Sequence, residues 1–76
     1  MNEIHLEVKV PMNQILISRP ILHDYVNGMI GKGIMTTICE QRGFLSSLFI
    51  IKSIAESKEQ EDYLEKSFNH IKRVYG

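Results

Sequence analysis

The side chains that could act as nucleophiles or metal ligands are few and far apart. The chain has one cysteine, Cys39, and its three histidines are His5, His23 and His70. A catalytic thiol needs a base within hydrogen-bond reach, and a zinc site needs ligands at short, regular spacings. Neither pattern occurs, so we expect a protein that is not an enzyme, with no catalytic residue, no metal and no cofactor. An active site shared between two copies of the chain is the one enzymatic arrangement that this leaves open.

A glycine-rich segment covers residues 28–33 and reads Gly-Met-Ile-Gly-Lys-Gly. It resembles the Gly-x-x-Gly loop with which KH domains clamp single-stranded nucleic acid, although Ile34 stands where a further glycine is expected. It lacks the Gly-Lys-Ser/Thr ending of a phosphate-binding loop. A helix that ends at glycine and continues into a tight turn explains the same residues without any ligand. We favour this second interpretation.

Four basic residues are candidates for nucleic-acid binding: Lys32 near the glycine turn, Arg42, and the pair Lys72 and Arg73 near the C-terminus. Nucleic-acid-binding domains are commonly basic, whereas here nine Lys and Arg balance nine Asp and Glu. The helix dipole also favours cations at a helix C-terminus without any partner. A nucleic-acid-binding domain is therefore the alternative function rather than the first.

Two segments have clear periodicities. Residues 3–10 alternate strictly between polar and apolar side chains, which predicts a half-buried strand. Residues 58–75 carry apolar side chains at helical spacing, acidic residues in the first turn and basic residues in the last. Ser57 followed by Gln60 is typical of a capping box at the start of this helix.

The segment between these elements is harder to interpret. Residues 11–18 fit either an extended stretch or the first turn of a helix capped by Asn13. We predict a helix over residues 19–30, with Ser18 as its N-cap and Pro20 just inside, where proline is tolerated.

Residues 34–54 decide the fold class. The β-branched segment 34–39 favours a strand, and residues 40–43 resemble a hairpin connection in which Gly43 supplies a positive φ. Residues 44–54 then form the return strand. The competing interpretation makes residues 44–55 a buried helix, since their apolar side chains also fit that period.

The predicted fold is a single α+β domain over residues 1–76, with the element order β-α-β-β-α. It has a three-stranded, mostly antiparallel sheet with two helices on one face. The alternative is an N-terminal strand followed by three or four helices. A chain of this size has a thin core, and self-association is a common way to bury more surface.

The return strand is apolar on both of its faces. Leu45, Phe49 and Ile51 would point to one side of the sheet, with Leu48, Ile50 and Ile54 on the other. Two helices cover only one side, so the other side needs a second copy of the chain or another protein. The predicted interface residues are Leu48, Phe49, Ile50 and Ile51, without an assignment of which two face outward.

These observations predict a small regulatory or inhibitory protein that acts by protein–protein interaction as a homodimer. The longest apolar stretch, residues 44–55, is too short to span a bilayer, and the N-terminus does not read as a signal peptide. We therefore expect no membrane association and a cytoplasmic location.

Overall fold

The computed structural model describes residues 2–75, which form three strands and two α-helices in the order β-α-β-β-α. The elements are β1 (Asn2–Pro11), α1 (Ile15–Gly31), β2 (Met35–Arg42), β3 (Ser46–Ala55) and α2 (Lys58–Tyr75), with a 3₁₀ turn at Met12–Gln14 before α1. The predicted α+β fold is confirmed, and the alternative built mainly of helices is wrong.

The sheet has the strand order β1-β3-β2, with β3 paired antiparallel to both neighbours. The two edge strands, β1 and β2, therefore run parallel to each other with β3 between them, and α1 connects them. Both ends of the central strand are anchored, because Asn2 pairs with Ala55 and Pro11 pairs with Ser46.

The core lies between one face of the sheet and the two helices. Phe49 and Ile51 of β3 are completely buried there, opposite Val8 and Leu6 of β1. The helices add Leu22, Val26 and Met29 from α1 and Leu64, Phe68 and Ile71 from α2. The helical interpretation of residues 44–55 is wrong because strands on both sides complete the backbone hydrogen bonds of β3, and its β-branched residues suit a pleated surface.

Helix α1 begins earlier than predicted. It starts at Ile15 rather than residue 19, so Ser18 is a buried helical residue and not an N-cap. Pro20 therefore lies in the second turn, where its ring replaces the N–H that would bond to the carbonyl of Leu16. The N-cap position is Gln14, which makes no side-chain capping hydrogen bond. The chain therefore enters α1 through the 3₁₀ turn, and no capping side chain marks the start of the helix.

Gly33 ends α1 in a Schellman motif. Its φ is 80°, its N–H donates to the Ile30 carbonyl at 2.9 Å, and the Ile34 N–H donates to the Met29 carbonyl at 3.1 Å. The apolar side chains of Met29 and Ile34 are both buried beneath this turn. The glycine segment is therefore the end of a helix followed by a tight turn, as the favoured interpretation stated.

Gly43 serves a different purpose from the one predicted. Among the described residues positive φ occurs at Gly33, so the expectation of a positive φ at Gly43 is wrong. Its N–H donates to the Ser46 carbonyl at 2.8 Å, and a Cβ at position 43 would lie 2.8 Å from that oxygen. Glycine is needed there for close approach of the backbone. Because β2 continues to Arg42, the hairpin connection is residues 43–45.

Helix α2 has the predicted bounds and the predicted N-cap. The Ser57 Oγ accepts a hydrogen bond from the Gln60 N–H at 3.2 Å. The Gln60 Oε1 accepts in turn from the N–H of Glu56 at 2.8 Å, one residue before the position expected for a capping box. The side chains of Ser57 and Gln60 therefore both accept hydrogen bonds from backbone N–H groups at the start of α2.

Candidate interaction surfaces

The face of the sheet opposite the helices, the outer sheet face, carries an apolar row along β3. Leu48, Ile50 and Ile54 project there and are half-buried. Met35 of β2 lies opposite Ile54, and Cys39 lies opposite Ile50; both are exposed. Both helices pack on the inner face, so the outer sheet face is uncovered within residues 2–75.

The structure separates the four predicted interface residues into two pairs. Leu48 and Ile50 lie on the outer sheet face, where another molecule can contact them. Phe49 and Ile51 have no exposed surface and belong to the core of the same chain. They cannot contact a partner while the domain is folded, so the strand's alternation removes them from the candidate interface.

A second apolar surface lies at the hairpin end of the molecule and was not predicted from the sequence. It consists of six exposed large apolar residues, namely Met12, Leu16, Ile17, Ile21, Phe44 and Leu45, which we call the hairpin-end patch. Phe44 is 94% exposed, Leu16 83%, Leu45 77% and Ile17 69%. Single exposed apolar residues are ordinary, whereas large exposed apolar patches are a common feature of interaction sites.

One hydrogen bond and the positions of residues along α1 relate the parts of this patch. The Met12 N–H donates to the Leu45 carbonyl at 3.0 Å, which fixes the hairpin connection against the start of the helical segment. Leu16 and Ile17 lie in the first turn of α1, directly after the 3₁₀ turn that holds Met12, and Ile21 lies one helical turn beyond Ile17. The patch therefore runs from the hairpin connection along the solvent side of α1.

The sequence holds a signal for this patch that depends on where α1 begins. Ile15, Leu16 and Ile17 are three consecutive apolar residues, and consecutive residues of a helix point about 100° apart. Ile15 is buried, which forces its two neighbours toward solvent. When the helix is predicted to begin at residue 19, these three residues lie outside it, and their sequence does not indicate which of them face solvent.

An ion pair holds α1 against the hairpin end. The Arg19 guanidinium donates from Nε to Glu40 Oε1 at 2.8 Å and from Nη2 to Glu40 Oε2 at 2.9 Å. The Ser47 hydroxyl donates to Oε2 at 3.2 Å, and Arg42 Nε lies 3.4 Å from it. Glu40 thus joins α1, β2 and β3 at the edge of the hairpin-end patch.

These neighbours keep Glu40 ionised. Hydrogen bonding to Arg19 is the largest cause that lowers the pKa of the Glu40 carboxyl, to about 2. Partial burial opposes the shift, while the Ser47 hydroxyl and the charges of Arg19 and Arg42 add to it. The same hydrogen bond raises the pKa of Arg19. The bidentate pair fixes α1 relative to β2, and the negative charge of the Glu40 carboxylate is already neutralised by its partners.

The four basic candidates for nucleic-acid binding are not brought into one patch. Lys32 lies at the end of α1, where its Nζ is 5.6 Å from the centre of the Tyr63 ring. Arg42 ends edge strand β2 at the opposite end of the sheet. Lys72 lines a groove beside β1, the other edge strand, and Arg73 follows it in the last turn of α2.

The candidate nucleophile and bases are also apart. Cys39 lies on β2, whereas His5 lies on β1 with β3 between them, two residues out of register. Two strand spacings of about 4.8 Å place them beyond hydrogen-bond reach. His70 of α2 packs against the Tyr25 ring, with 5.9 Å between ring centroids. Across residues 2–75 no group of His, Cys, Asp or Glu has an arrangement that could hold a metal ion.

Comparison with known proteins gives no relative for this chain: no protein family, no curated protein and no solved structure matches it. Neither helix in the described part of the chain is long and apolar enough to cross a membrane.

Proposed function

We propose that this is a non-enzymatic regulatory or inhibitory protein that docks on a protein partner through the hairpin-end patch and self-associates through the outer sheet face. The observation that carries the proposal is the exposure of the patch in a domain whose core is already closed. Phe44, in the connection between β2 and β3, and Leu16, in the first turn of α1, contribute nothing to the core that the described residues form.

The size of the hairpin-end patch supports docking. A phenylalanine side chain buries on the order of 150–250 Å² when it is covered. Six large apolar side chains therefore present several hundred Å², which approaches the roughly 800 Å² that each partner contributes to a standard interface. The largest apolar patch on a typical monomer is about 300–600 Å² and is often functional.

The outer sheet face is suited to a second copy of the chain. Its charged residues are Glu3, Glu7 and Lys9 on β1 and Lys52 on β3, which is two of each sign around the apolar row. A surface with balanced charges can face itself across a two-fold axis without net repulsion. Sheets that pack face to face lie about 10 Å apart and bury such rows between them.

Photo-crosslinking at position 44 tests the docking function. We expect a benzoylphenylalanine at this position to form a discrete covalent adduct with one protein in the cells that produce the chain. The same group at Lys58, whose side chain is 82% exposed at the start of α2 and at the end of the molecule remote from the hairpin, is the matched control. The identified protein, once purified, should bind the wild type and lose at least tenfold in affinity for Phe44→Asp.

The folding of the Phe44→Asp variant can be checked independently of binding. Phe44 is almost fully exposed, so Phe44→Asp should keep the circular dichroism and unfolding midpoint of the wild type. Equal adducts from positions 44 and 58, or unchanged affinity of the folded variant, would show that the patch is not a docking site.

A further inference from the structure

The charges of the molecule are divided between its two ends although the whole chain is neutral. The half that contains the hairpin comprises residues 7–22, 39–50 and 67–75, according to strand pairing and helix direction. It holds five Lys and Arg against two acidic residues, for a net charge of +3. The opposite half holds four Lys and Arg against seven acidic residues, for a net charge of −3.

The hairpin-end patch therefore lies in the positive half. Arg42 immediately precedes the connection that carries Phe44 and is mostly exposed. Glu40 lies within ion-pair distance of both Arg19 and Arg42, so this cluster of two cations and one carboxylate keeps one net positive charge beside the patch. The solvent around the patch accordingly experiences a positive potential, which attracts anionic groups and repels cationic ones.

This distribution argues against a second copy as the occupant of the patch. Joining two hairpin ends would bring two halves of net charge +3 together, and like charges across an interface disfavour association. Joining a hairpin end to an opposite end would match charges. However, it would place the apolar patch against a surface rich in Glu and Asp, and it would generate an open chain of molecules.

We infer that the occupant of the hairpin-end patch is an acidic, amphipathic segment of another protein, apolar on one side and flanked by Asp or Glu. This inference rests on the proposed docking function and adds the chemistry of the partner. The patch extends from Met12 in the 3₁₀ turn to Ile21 of α1, a length of about 15 Å at roughly 2.0 Å per residue in the turn and 1.5 Å in the helix. That length accommodates two to three turns of a partner helix, with the exposed ring of Phe44 at one end.

Selection from a library of random displayed peptides tests the inference. The wild-type protein is the bait. Peptides that also bind the folded Phe44→Asp variant are discarded, because they bind outside the hairpin-end patch. We expect the surviving peptides to combine Leu, Ile or Phe with an excess of Asp and Glu over the starting library. Their affinity should fall as salt is raised.

Two charge variants serve as a matched pair for the selected peptides. Arg42→Gln removes an exposed cation beside the patch and should weaken binding by roughly two- to fivefold. Lys66→Gln removes an exposed cation from the opposite half and should leave the affinity unchanged. Circular dichroism of both variants controls for folding.

Each outcome has a separate meaning. Phe44-dependent peptides without an acidic excess would overturn the acidic partner while leaving the docking function in place. A selection that yields no Phe44-dependent peptide would overturn the inference, and the crosslinking experiment then decides the docking function independently. Phe44-dependent sedimentation with vesicles of phosphatidylcholine and phosphatidylserine, but not with phosphatidylcholine alone, would assign the patch to an anionic membrane surface instead.

Discussion

At the scale of single residues, Glu40 is the charged group whose surroundings most clearly affect stability. Its pKa is lowered to about 2 in the folded protein, whereas an unfolded glutamate titrates near 4.3. A lowered folded pKa contributes stability that is complete above the unfolded value and is lost as the pH falls through the folded one. Unfolding free energy should therefore decrease between about pH 5 and pH 2.

The Glu40→Gln variant tests this contribution. It should be less stable than the wild type by about 1–2 kcal/mol at pH 7, because the partners of Glu40 are partly exposed to solvent. The difference should shrink toward pH 2 in urea denaturation. Glu65→Gln, an exposed change on α2, is the control and should follow the wild type. Parallel pH profiles for the wild type and Glu40→Gln would contradict the prediction.

At the scale of secondary structure elements, the end of α1 depends on backbone geometry at one glycine. Gly31 and Gly33 both have open space where a Cβ would stand, but only Gly33 has a positive φ, 80°. Gly33→Ala should cost about 1 kcal/mol because alanine is strained in that region. Gly31→Ala should be neutral or stabilise by up to about 1 kcal/mol, since alanine favours the helix. Urea midpoints that move together would contradict this explanation.

The same elements show how far sequence patterns reach. Strict alternation over residues 3–10 predicted β1, and the charge order with Ser57 predicted both ends of α2, because these signals are local. The start of α1 was misplaced because Ser18 and Pro20 imitate a helix beginning, while the true start has no capping side chain. Gly43 was misread because its role depends on the Ser46 carbonyl across the turn.

The functional surfaces were predictable only in part for a related reason. Alternation along β3 showed that both of its faces are apolar, but not which face the helices cover. The hairpin-end patch required two further facts, namely the true start of α1 and the contact between Met12 and Leu45. The division of charge between the two ends of the molecule likewise depends on strand order and helix direction, which cannot be derived from the amino-acid composition.

At the scale of the whole molecule, the two surfaces make different contributions to assembly. An apolar interface with balanced charges should be insensitive to salt, since burial of apolar surface needs no charge attraction. We expect size-exclusion chromatography with light scattering to give the mass of a dimer at low and high salt. The ratio of absorbance at 260 and 280 nm should show no bound nucleic acid.

Single substitutions should separate the outer sheet face from the hairpin-end patch. Ile50→Asp should give a monomer, because a carboxylate would replace the middle of the apolar row. Met35→Asp should also weaken the dimer, and since Met35 is exposed this change does not endanger folding. Phe44→Asp should remain a dimer. A monomeric wild type would contradict self-association through the outer sheet face, and so would a dimer that only Phe44→Asp dissociates. Salt-releasable material absorbing at 260 nm would instead favour nucleic-acid binding.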